Sequence, residues 1–301
     1  MRKNIVLLVV MLLITMLFTS CKTSEKPPLE TKQAEKIEIG ITFDTFVLER
    51  WIRDRDVFVS TATSEDKATV DVQNANGEVE KQRKQIEKFI EQKKDVIVIV
   101  AVDCFALTDV VKEAIRQGIK VISYDRLIQN VETSLYITVD NTSVGKEMAK
   151  EFMARLPDGG NIVMICGPEA DTNSADVSQS FEATIENPKY KIIYKNHVKS
   201  WTPENGFNAV TEAFEAVGEE NIDAVMCGND GLAGYVIRAL SERQLAGKVI
   251  VVGQDADLDA CQRVVEGTQA MTVYKPIEEL AKVAAECAIS LGEEKSVDKI
   301  S

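Results

Sequence analysis

Polar side chains that could hold a small hydroxylated molecule follow most of the apolar runs of this chain. Asp, Asn, Arg and Trp dominate these positions, and the same types return at the end of one run after another. The positions are Asp44, Glu49-Arg50-Trp51, Asp125-Arg126, Asp140-Asn141, His197, Trp201, Gly228-Asn229-Asp230, Gln254-Asp255 and Lys275. Because ligands of open parallel sheets bind beyond the carboxyl ends of the strands, these positions predict a binding site.

The chemistry of these side chains matches an uncharged sugar. Each sugar hydroxyl both donates and accepts a hydrogen bond, so it needs a carboxylate or amide oxygen beside an N–H donor. Planar Asp, Asn and Arg groups can hold two adjacent hydroxyls at once. The apolar C–H face of a sugar ring suits an indole, and both tryptophans of the sequence, Trp51 and Trp201, lie at such positions.

The same inventory disfavours catalysis and cofactor chemistry. His197 is the single histidine, so a Ser-His-Asp or Cys-His arrangement would depend on that residue, and a multi-histidine metal site within one chain is excluded. The acidic group at 255, 257 and 259 hints at a cation site but lacks the Gly and the distal Glu of a calcium loop. No cofactor is predicted.

Simpler explanations stay open for several of these residues. Charged residues are common in loops because loops face water. Asn229 and Asp230 suit a helix N-cap, and Trp201 could pack over its own helix. Arg53-Asp54-Arg55-Asp56 is expected to be a solvent-facing run of ion pairs, and His197 a surface loop residue. The glycines at 228, 231 and 234 follow a strand but lack the GxGxxG spacing of a dinucleotide loop.

Short β-branched runs alternate with helical stretches from residue 37 onward. Strands are predicted at 37–43, 68–72, 95–100, 119–124, 134–139, 161–166, 190–194, 222–227, 248–252 and 269–273. Helices are predicted at 78–92, 108–117, 144–156, 174–186, 203–217, 231–243, 258–266 and 277–291. This alternation predicts an α/β fold of two similar doubly wound parallel-sheet lobes, with a single eight-stranded barrel as the alternative.

Length and charge bound the class of protein further. The chain has 301 residues, which suggests two domains at about 150 residues each. Its net charge of −13 argues against nucleic acid as a partner, because phosphate binding needs a basic surface. The cysteines beyond Cys21 are odd in number and widely spaced, which does not suggest a disulfide framework.

The first twenty residues have the pattern of an export signal. Arg2 and Lys3 precede an apolar run at 5–18, which is shorter than the roughly 20 residues of a membrane span. Leu17-Phe18-Thr19-Ser20-Cys21 resembles a bacterial lipobox, so residues 1–20 are predicted to be removed and Cys21 to be lipidated. Ordinary signal cleavage and a simple N-terminal membrane anchor are the alternatives. Residues 21–36 are predicted to be a flexible tether.

Seven blocks of sequence together resemble the D-xylose-binding members of the ribose-type periplasmic sugar-binding family. They are LERWIRDRDVFV (48–59), SYDRLI (123–128), VDNTSVG (139–145), WTPENG (201–206), GNDGLAG (228–234), VVGQDADLDA (251–260) and GTQAMTVYKPI (267–277). The likeness covers about residues 37–292. It implies a type I periplasmic binding protein, in which two lobes joined by a hinge close on a sugar.

The resemblance also implies a set of ligands and lobe boundaries. One lobe would comprise 37–139 with 274–301 and the other 140–273. Members of the family usually continue for a further segment that crosses the hinge a third time, so this sequence is expected either to be shortened or to have lost a hinge strand. The tryptophans would enclose the sugar ring, and Lys275 would lie near the hinge. The ligands, including the two tryptophans, would be Arg50, Trp51, Asp125 and Arg126 in the first lobe, and Asn141, Trp201, Asn229 and Asp255 in the second.

The function implied is a non-catalytic receptor for D-xylose or a similar pentose, held by its lipid anchor on the outer face of the cell membrane. Its bound state would be presented to a membrane permease of the ABC type or to a sensor histidine kinase. A sugar-modifying α/β enzyme is the alternative from another class. A DNA-binding sugar-responsive repressor would need a helix-turn-helix where this chain has its signal sequence.

Overall fold

The apolar runs form two parallel five-stranded sheets in the computed structural model, which describes residues 36–297. The first sheet contains β1 (Ile37–Phe43), β2 (Ala68–Asn74), β3 (Val96–Ile99), β4 (Lys120–Tyr124) and β5 (Leu135–Ile137). The second contains β6 (Gly160–Cys166), β7 (Tyr190–His197), β8 (Ala224–Cys227), β9 (Ile250–Gln254) and β10 (Met271–Val273). The strand order is β2-β1-β3-β4-β5 in the first sheet and β10-β9-β8-β6-β7 in the second. The prediction of two doubly wound lobes is confirmed, and the barrel alternative is wrong.

Helices connect the strands and cover both faces of each sheet. They are α1 (Glu49–Ala62), α2 (Val79–Glu91), α3 (Thr108–Arg116), α4 (Asn141–Arg155), α5 (Thr172–Thr184), α6 (Glu204–Val217), α7 (Asp230–Glu242), α8 (Leu258–Glu266) and α9 (Ile277–Gly292). The central strand β3 is buried at all of its positions, as continuous apolar runs between two helical layers should be. None of the described helices has both the length and the apolar stretch that a bilayer crossing requires.

Helix α1 is absent from the sequence prediction, and the expectation that residues 53–56 face solvent is wrong for Asp54, which is completely buried. The buried face of α1 consists of Arg50, Trp51, Asp54, Phe58 and Ala62. These positions have helical spacing. The charged residues within that face interrupt its apolar pattern, so the period is hidden in the sequence.

The chain passes between the two sheets twice within the described residues. It leaves β5 and enters α4, which packs beside β9 and β10, and it leaves β10 and enters α9, which packs on α1 and the first sheet. The crossing segments are therefore 138–140 and 274–276. The predicted signal sequence, Cys21 and all of the tether except Lys36 lie outside the described residues, as do residues 298–301.

Candidate functional site

A cavity lies where the carboxyl ends of the two sheets meet, and all nine predicted ligand residues line it. It is lined by Arg50, Trp51, Asp125, Arg126, Asn141, Trp201, Asn229, Asp255 and Lys275, together with Leu48, Asp171, Asn173, Ser174 and Gln254. The expectation that ligands bind beyond the carboxyl ends of parallel strands therefore named residues that meet at one cavity although they lie up to 225 positions apart in sequence, from Arg50 to Lys275. Their role as sugar ligands stays a prediction.

Each lobe places a carboxylate at the cavity on a residue with left-handed backbone conformation. Asp125 follows β4 with a φ of 65°, and Asp255 follows β9 with a φ of 105°. The amide of Asp125 donates to the carbonyl of Ile137 at 2.7 Å, and that of Asp255 to Val273 at 3.0 Å. Left-handed backbone is uncommon for residues other than glycine and is concentrated at functional sites. The turn directs each carboxylate toward the cavity.

Buried cations of the first lobe are paired with buried carboxylates. An Nη2 of Arg50 donates to Asp125 at 2.9 Å, and the Arg50 guanidinium lies 4.0 Å from the centre of the Trp51 ring. Arg126 donates to Asp44 at 2.8 Å and to the carbonyl of Ala101 at 2.6 Å. Burial raises the pKa of Asp125, but the positive charges around it, led by Arg50, outweigh burial and hold the pKa below its ordinary value.

Direct polar contacts join the two lobes across the cavity. Arg126 Nε lies 2.7 Å from Asp171 Oδ2, and Nδ2 of Asn173 donates to Asp125 Oδ2 at 2.9 Å. Lys275 Nζ lies 2.6 Å from Asp255 Oδ1, and that same oxygen is 3.9 Å from Arg50 Nη1. The lobes are therefore held together by charge pairs that exist only when they are close.

Asp171 and Asn173 are the main residues that the sequence prediction missed. They lie in the loop after β6 and in the first turn of α5, which is also the carboxyl end of a parallel strand. Asp171 Oδ1 caps α5 by accepting from the amide of Asn173 at 3.0 Å. Burial raises the pKa of Asp171, and the charge of Arg126 opposes that rise. Ser174 was also missed, and Gln254 was named at a strand end but was not included among the expected ligands.

Trp201 is held in the second lobe by one hydrogen bond and two glycines. Its Nε1 donates to Asp171 Oδ2 at 3.0 Å. A Cβ at Gly167 would lie 2.2 Å from the indole, and one at Gly228 would lie 3.1 Å from it. These strand ends therefore need glycine because the ring lies directly against the backbone. Of the glycines at 228, 231 and 234, Gly228 therefore packs against the Trp201 indole.

Several buried polar atoms at the cavity have no protein partner within residues 36–297. Two are N–H donors, two are amide oxygens and one is a hydroxyl: Arg50 Nε, Trp51 Nε1, Asn173 Oδ1, Gln254 Oε1 and Ser174 Oγ. Both lobes contribute to this set. An unsatisfied buried polar group costs about 1–3 kcal/mol, so the cavity favours a ligand that supplies donors and acceptors together.

The cavity between the two lobes is narrow in this structure. Its free volume is about 30 Å³, which is room for about two water molecules. A larger ligand therefore enters only when the lobes separate or when the charged side chains withdraw.

His197 and the acidic residues at 255 and 257 each contact a neighbouring group of the protein. His197 ends β7 and is half-buried, with Nδ1 3.1 Å from the carbonyl of Gly167, so the expected surface loop position is wrong. Asp255 pairs with Lys275, and Asp257 lies 3.6 Å from Arg53 of the other lobe. Among the described residues, no group of three or more His, Cys, Asp or Glu side chains is arranged to bind a metal ion.

Comparison with known proteins identifies relatives over most of the chain. A family model described as a periplasmic binding protein domain matches residues 39–296. The D-xylose-binding periplasmic protein of Escherichia coli (strain K12) is 42% identical over 263 residues, which cover 86% of this chain and 79% of that protein. The D-xylose-binding periplasmic protein of Haemophilus influenzae is 40% identical over 269 residues, which cover 88% and 80% of the two chains.

Solved structures share the fold. An ABC transporter solute-binding protein from Bacillus halodurans with bound myo-inositol has a TM-score of 0.82 at 22% identity, covering 89% of this chain and 92% of that one. The fructose-binding periplasmic domain of a hybrid two-component system has a TM-score of 0.80 at 25% identity, covering 87% of each chain.

Asp230, next to Asn229 at the start of α7, is a buried carboxyl with neutral partners. Its Oδ1 accepts from Gln269 at 2.8 Å and its Oδ2 from Thr272 at 2.6 Å. Burial raises the pKa of Asp230 to about 7; the hydrogen bond from Thr272 opposes this rise, and the charge of Asp255 adds to it. The folded protein therefore binds a proton here that the unfolded chain, with an ordinary pKa of 3.8, releases.

We expect Asp230 to make the protein less stable as the pH rises. Its favourable contribution is present below about pH 4 and is lost as the pH passes through 7, because the folded-state pKa is the higher one. Relative to Asp230→Asn, the wild type should lose roughly 2 kcal/mol of unfolding free energy between about pH 5 and pH 8. Urea denaturation at a series of pH values measures the difference. A constant difference over that range would contradict the raised pKa.

Proposed function

This chain belongs to the periplasmic binding protein family, and from that premise we propose that it is a receptor for D-xylose or a similar pentose. The family consists of solute-binding proteins that act outside the cytoplasm, and they bind their ligand without changing it. The two xylose-binding relatives support the choice of sugar, since they share 40–42% of their residues with most of this chain.

The unpartnered polar atoms of the cavity are the observation that carries the proposal. A donor such as Arg50 Nε and an acceptor such as Gln254 Oε1 face one cavity from opposite lobes. A sugar hydroxyl satisfies both kinds of atom because it donates and accepts. The sugar ligands we propose are the nine predicted residues, with Asp171, Asn173, Ser174 and Gln254 added.

The charge of the cavity favours an uncharged ligand. Three cations and three carboxylates line it, which are Arg50, Arg126 and Lys275, and Asp125, Asp171 and Asp255. A charged ligand would leave one buried charge without a counterion, which is strongly unfavourable. A pentose adds hydrogen bonds and leaves the balance unchanged, and the faces of Trp51 and Trp201 suit its C–H surface.

We infer that binding is coupled to closure of the lobes. We divide them at 37–139 with 274–301, and at 140–273, so that the crossing segments 138–140 and 274–276 form the hinge. Of the two ways in which the narrow cavity could admit a sugar, we propose separation of the lobes rather than withdrawal of the charged side chains. Closing then forms the interlobe contacts Arg126–Asp171 and Asp125–Asn173. Sugar shifts the population toward the closed state, since only that state places ligands from both lobes around it.

Asn229→Ser should weaken pentose binding by about tenfold, because it removes an amide donor at the cavity. The variant is chosen because Asn229 Oδ1 also caps α7, accepting from the amide of Leu232 at 2.9 Å, and serine caps a helix nearly as well. Titration calorimetry with D-xylose measures the change. Asn208→Ser, on the exposed part of α6, should bind as the wild type does.

Two results would count against these assignments. Unchanged affinity in Asn229→Ser would remove Asn229 from the ligand set. Chromatography of the sugar after incubation should recover D-xylose alone, and any product would support the sugar-modifying enzyme instead.

We propose that Cys21 carries a lipid that anchors the protein to the outer face of the membrane. Cys21→Ala should move the protein from the membrane fraction to the soluble fraction, since no lipid can be attached, and immunoblotting of fractions measures this. Cys261→Ala alters an exposed cysteine of the folded part and should stay with the membrane. A Cys21→Ala protein that remains membrane-bound would favour residues 5–18 as the anchor.

A membrane permease of the ABC type is the partner we propose for the sugar-bound state. A sensor histidine kinase is the second candidate, favoured by the likeness to the sugar-binding domain of a two-component system. Cross-linking in native membranes with D-xylose present, followed by affinity capture, should recover permease subunits. Recovery of a histidine kinase without permease subunits would reverse this order.

A further inference from the structure

Asp54 is a buried carboxylate that the proposed sugar site does not use. It is completely buried on the face of α1 that also carries Phe58 and Ala62. It lies one helical turn after Arg50, so the two side chains share a face. Asp54 is not among the described residues that line the cavity.

The contacts of Asp54 connect it to Arg50 and to the end of β4. Its Oδ1 accepts a hydrogen bond from the hydroxyl of Tyr124 and lies 3.6 Å from Arg50 Nη2. Its Oδ2 has no partner within residues 36–297. Tyr124 is the last residue of β4, and the next residue, Asp125, accepts directly from the same Nη2 of Arg50.

Burial of this carboxylate is costly, so an apolar residue would serve the packing of α1 better. The burial raises the pKa of Asp54, and the charge of Arg50 and the Tyr124 hydrogen bond oppose that rise. Asp54 therefore has two favourable contacts, the Tyr124 hydroxyl and the guanidinium of Arg50, and the guanidinium is the one that lines the cavity. The last residue of β4 and the residue after it both hold that group, Asp125 directly and Tyr124 through Asp54.

We propose that Asp54 and Tyr124 are positioning residues that fix the Arg50 guanidinium in the sugar-binding orientation before sugar arrives. The inference rests on the proposed sugar-binding function. An arginine side chain has high rotational entropy, and ordering it during binding lowers affinity. The Tyr124–Asp54 pair lies within the first lobe, so it holds Arg50 whether or not the second lobe is close. The Nε of Arg50 is thereby left unpartnered at the cavity.

Tyr124→Phe is the test, because it removes the hydroxyl and keeps the ring. We expect the affinity for D-xylose to fall by about fivefold. The matched control is Tyr190→Phe, which removes a buried tyrosine hydroxyl that donates to the carbonyl of Leu156 at 2.9 Å in the second lobe. The control should lose similar stability and keep wild-type affinity. Equal affinities of the two variants for sugar would overturn the proposal.

A second comparison separates positioning from a general effect on the fold. In an Arg50→Met background, adding Tyr124→Phe should change sugar affinity no further, because the group that it positions is gone. A fivefold loss in that background as well would contradict the proposed route through Arg50.

The state of Arg50 can also be measured without any sugar. The side-chain Nε–H resonance of Arg50 should show restricted motion in the wild type and in Tyr190→Phe, and fast motion in Tyr124→Phe and Asp54→Asn. An unchanged resonance in both of these variants would refute positioning. This resonance tests the positioning of Arg50 even if the wild type binds no pentose. Absence of pentose binding would instead refute the proposed function.

Discussion

Pairing of buried charge is the constraint on which the rest of this structure depends. Arg50 and Arg126 are almost completely inaccessible to solvent, and so are the carboxylates around them. A buried charge is tolerated only with a counterion or several hydrogen bonds. The first lobe supplies part of that compensation through Asp44, Asp54 and Asp125, and the second supplies the rest through Asp171 and Asp255. The buried charges of the site are therefore fully compensated only by carboxylates from both lobes.

That dependence connects fold, motion and ligand chemistry. In the open state that we propose, Arg126 and Asp171 would be exposed to water, which can solvate both charges. A neutral polyol can replace water at the same atoms without disturbing the charge balance. Asp171 contacts both the aromatic surface and the other lobe, because it accepts from the indole nitrogen of Trp201 and also pairs with Arg126 across the cleft. Closure and the orientation of the aromatic surface are thus linked through one carboxylate.

The strained turns at Asp125 and Asp255 show how the scaffold delivers these groups. Each turn follows a strand next to the edge of its sheet and is tied by a backbone hydrogen bond to the edge strand. The two lobes repeat this arrangement, although their sequences at the two positions, YDR and QDAD, have little in common beyond the aspartate. Equivalent positions of similar lobes therefore face each other across the cavity.

The sequence by itself determined the strands and the residues at their ends. Strand pattern is local, and parallel strands bring their carboxyl ends to one edge, so the nine cavity residues are among those that strand ends predict. The resemblance to the sugar-binding family selected those nine from the larger set. It did not determine that α1 is a helix with Asp54 inside, because a charged residue on the buried face masks the helical period. Only the tertiary structure decided which charges pair. Arg126 meets Asp171, and Tyr124 meets Asp54, across long stretches of chain. Which charges pair depends on how helices and strands pack in space, and a local sequence pattern does not encode the distance between side chains on different elements.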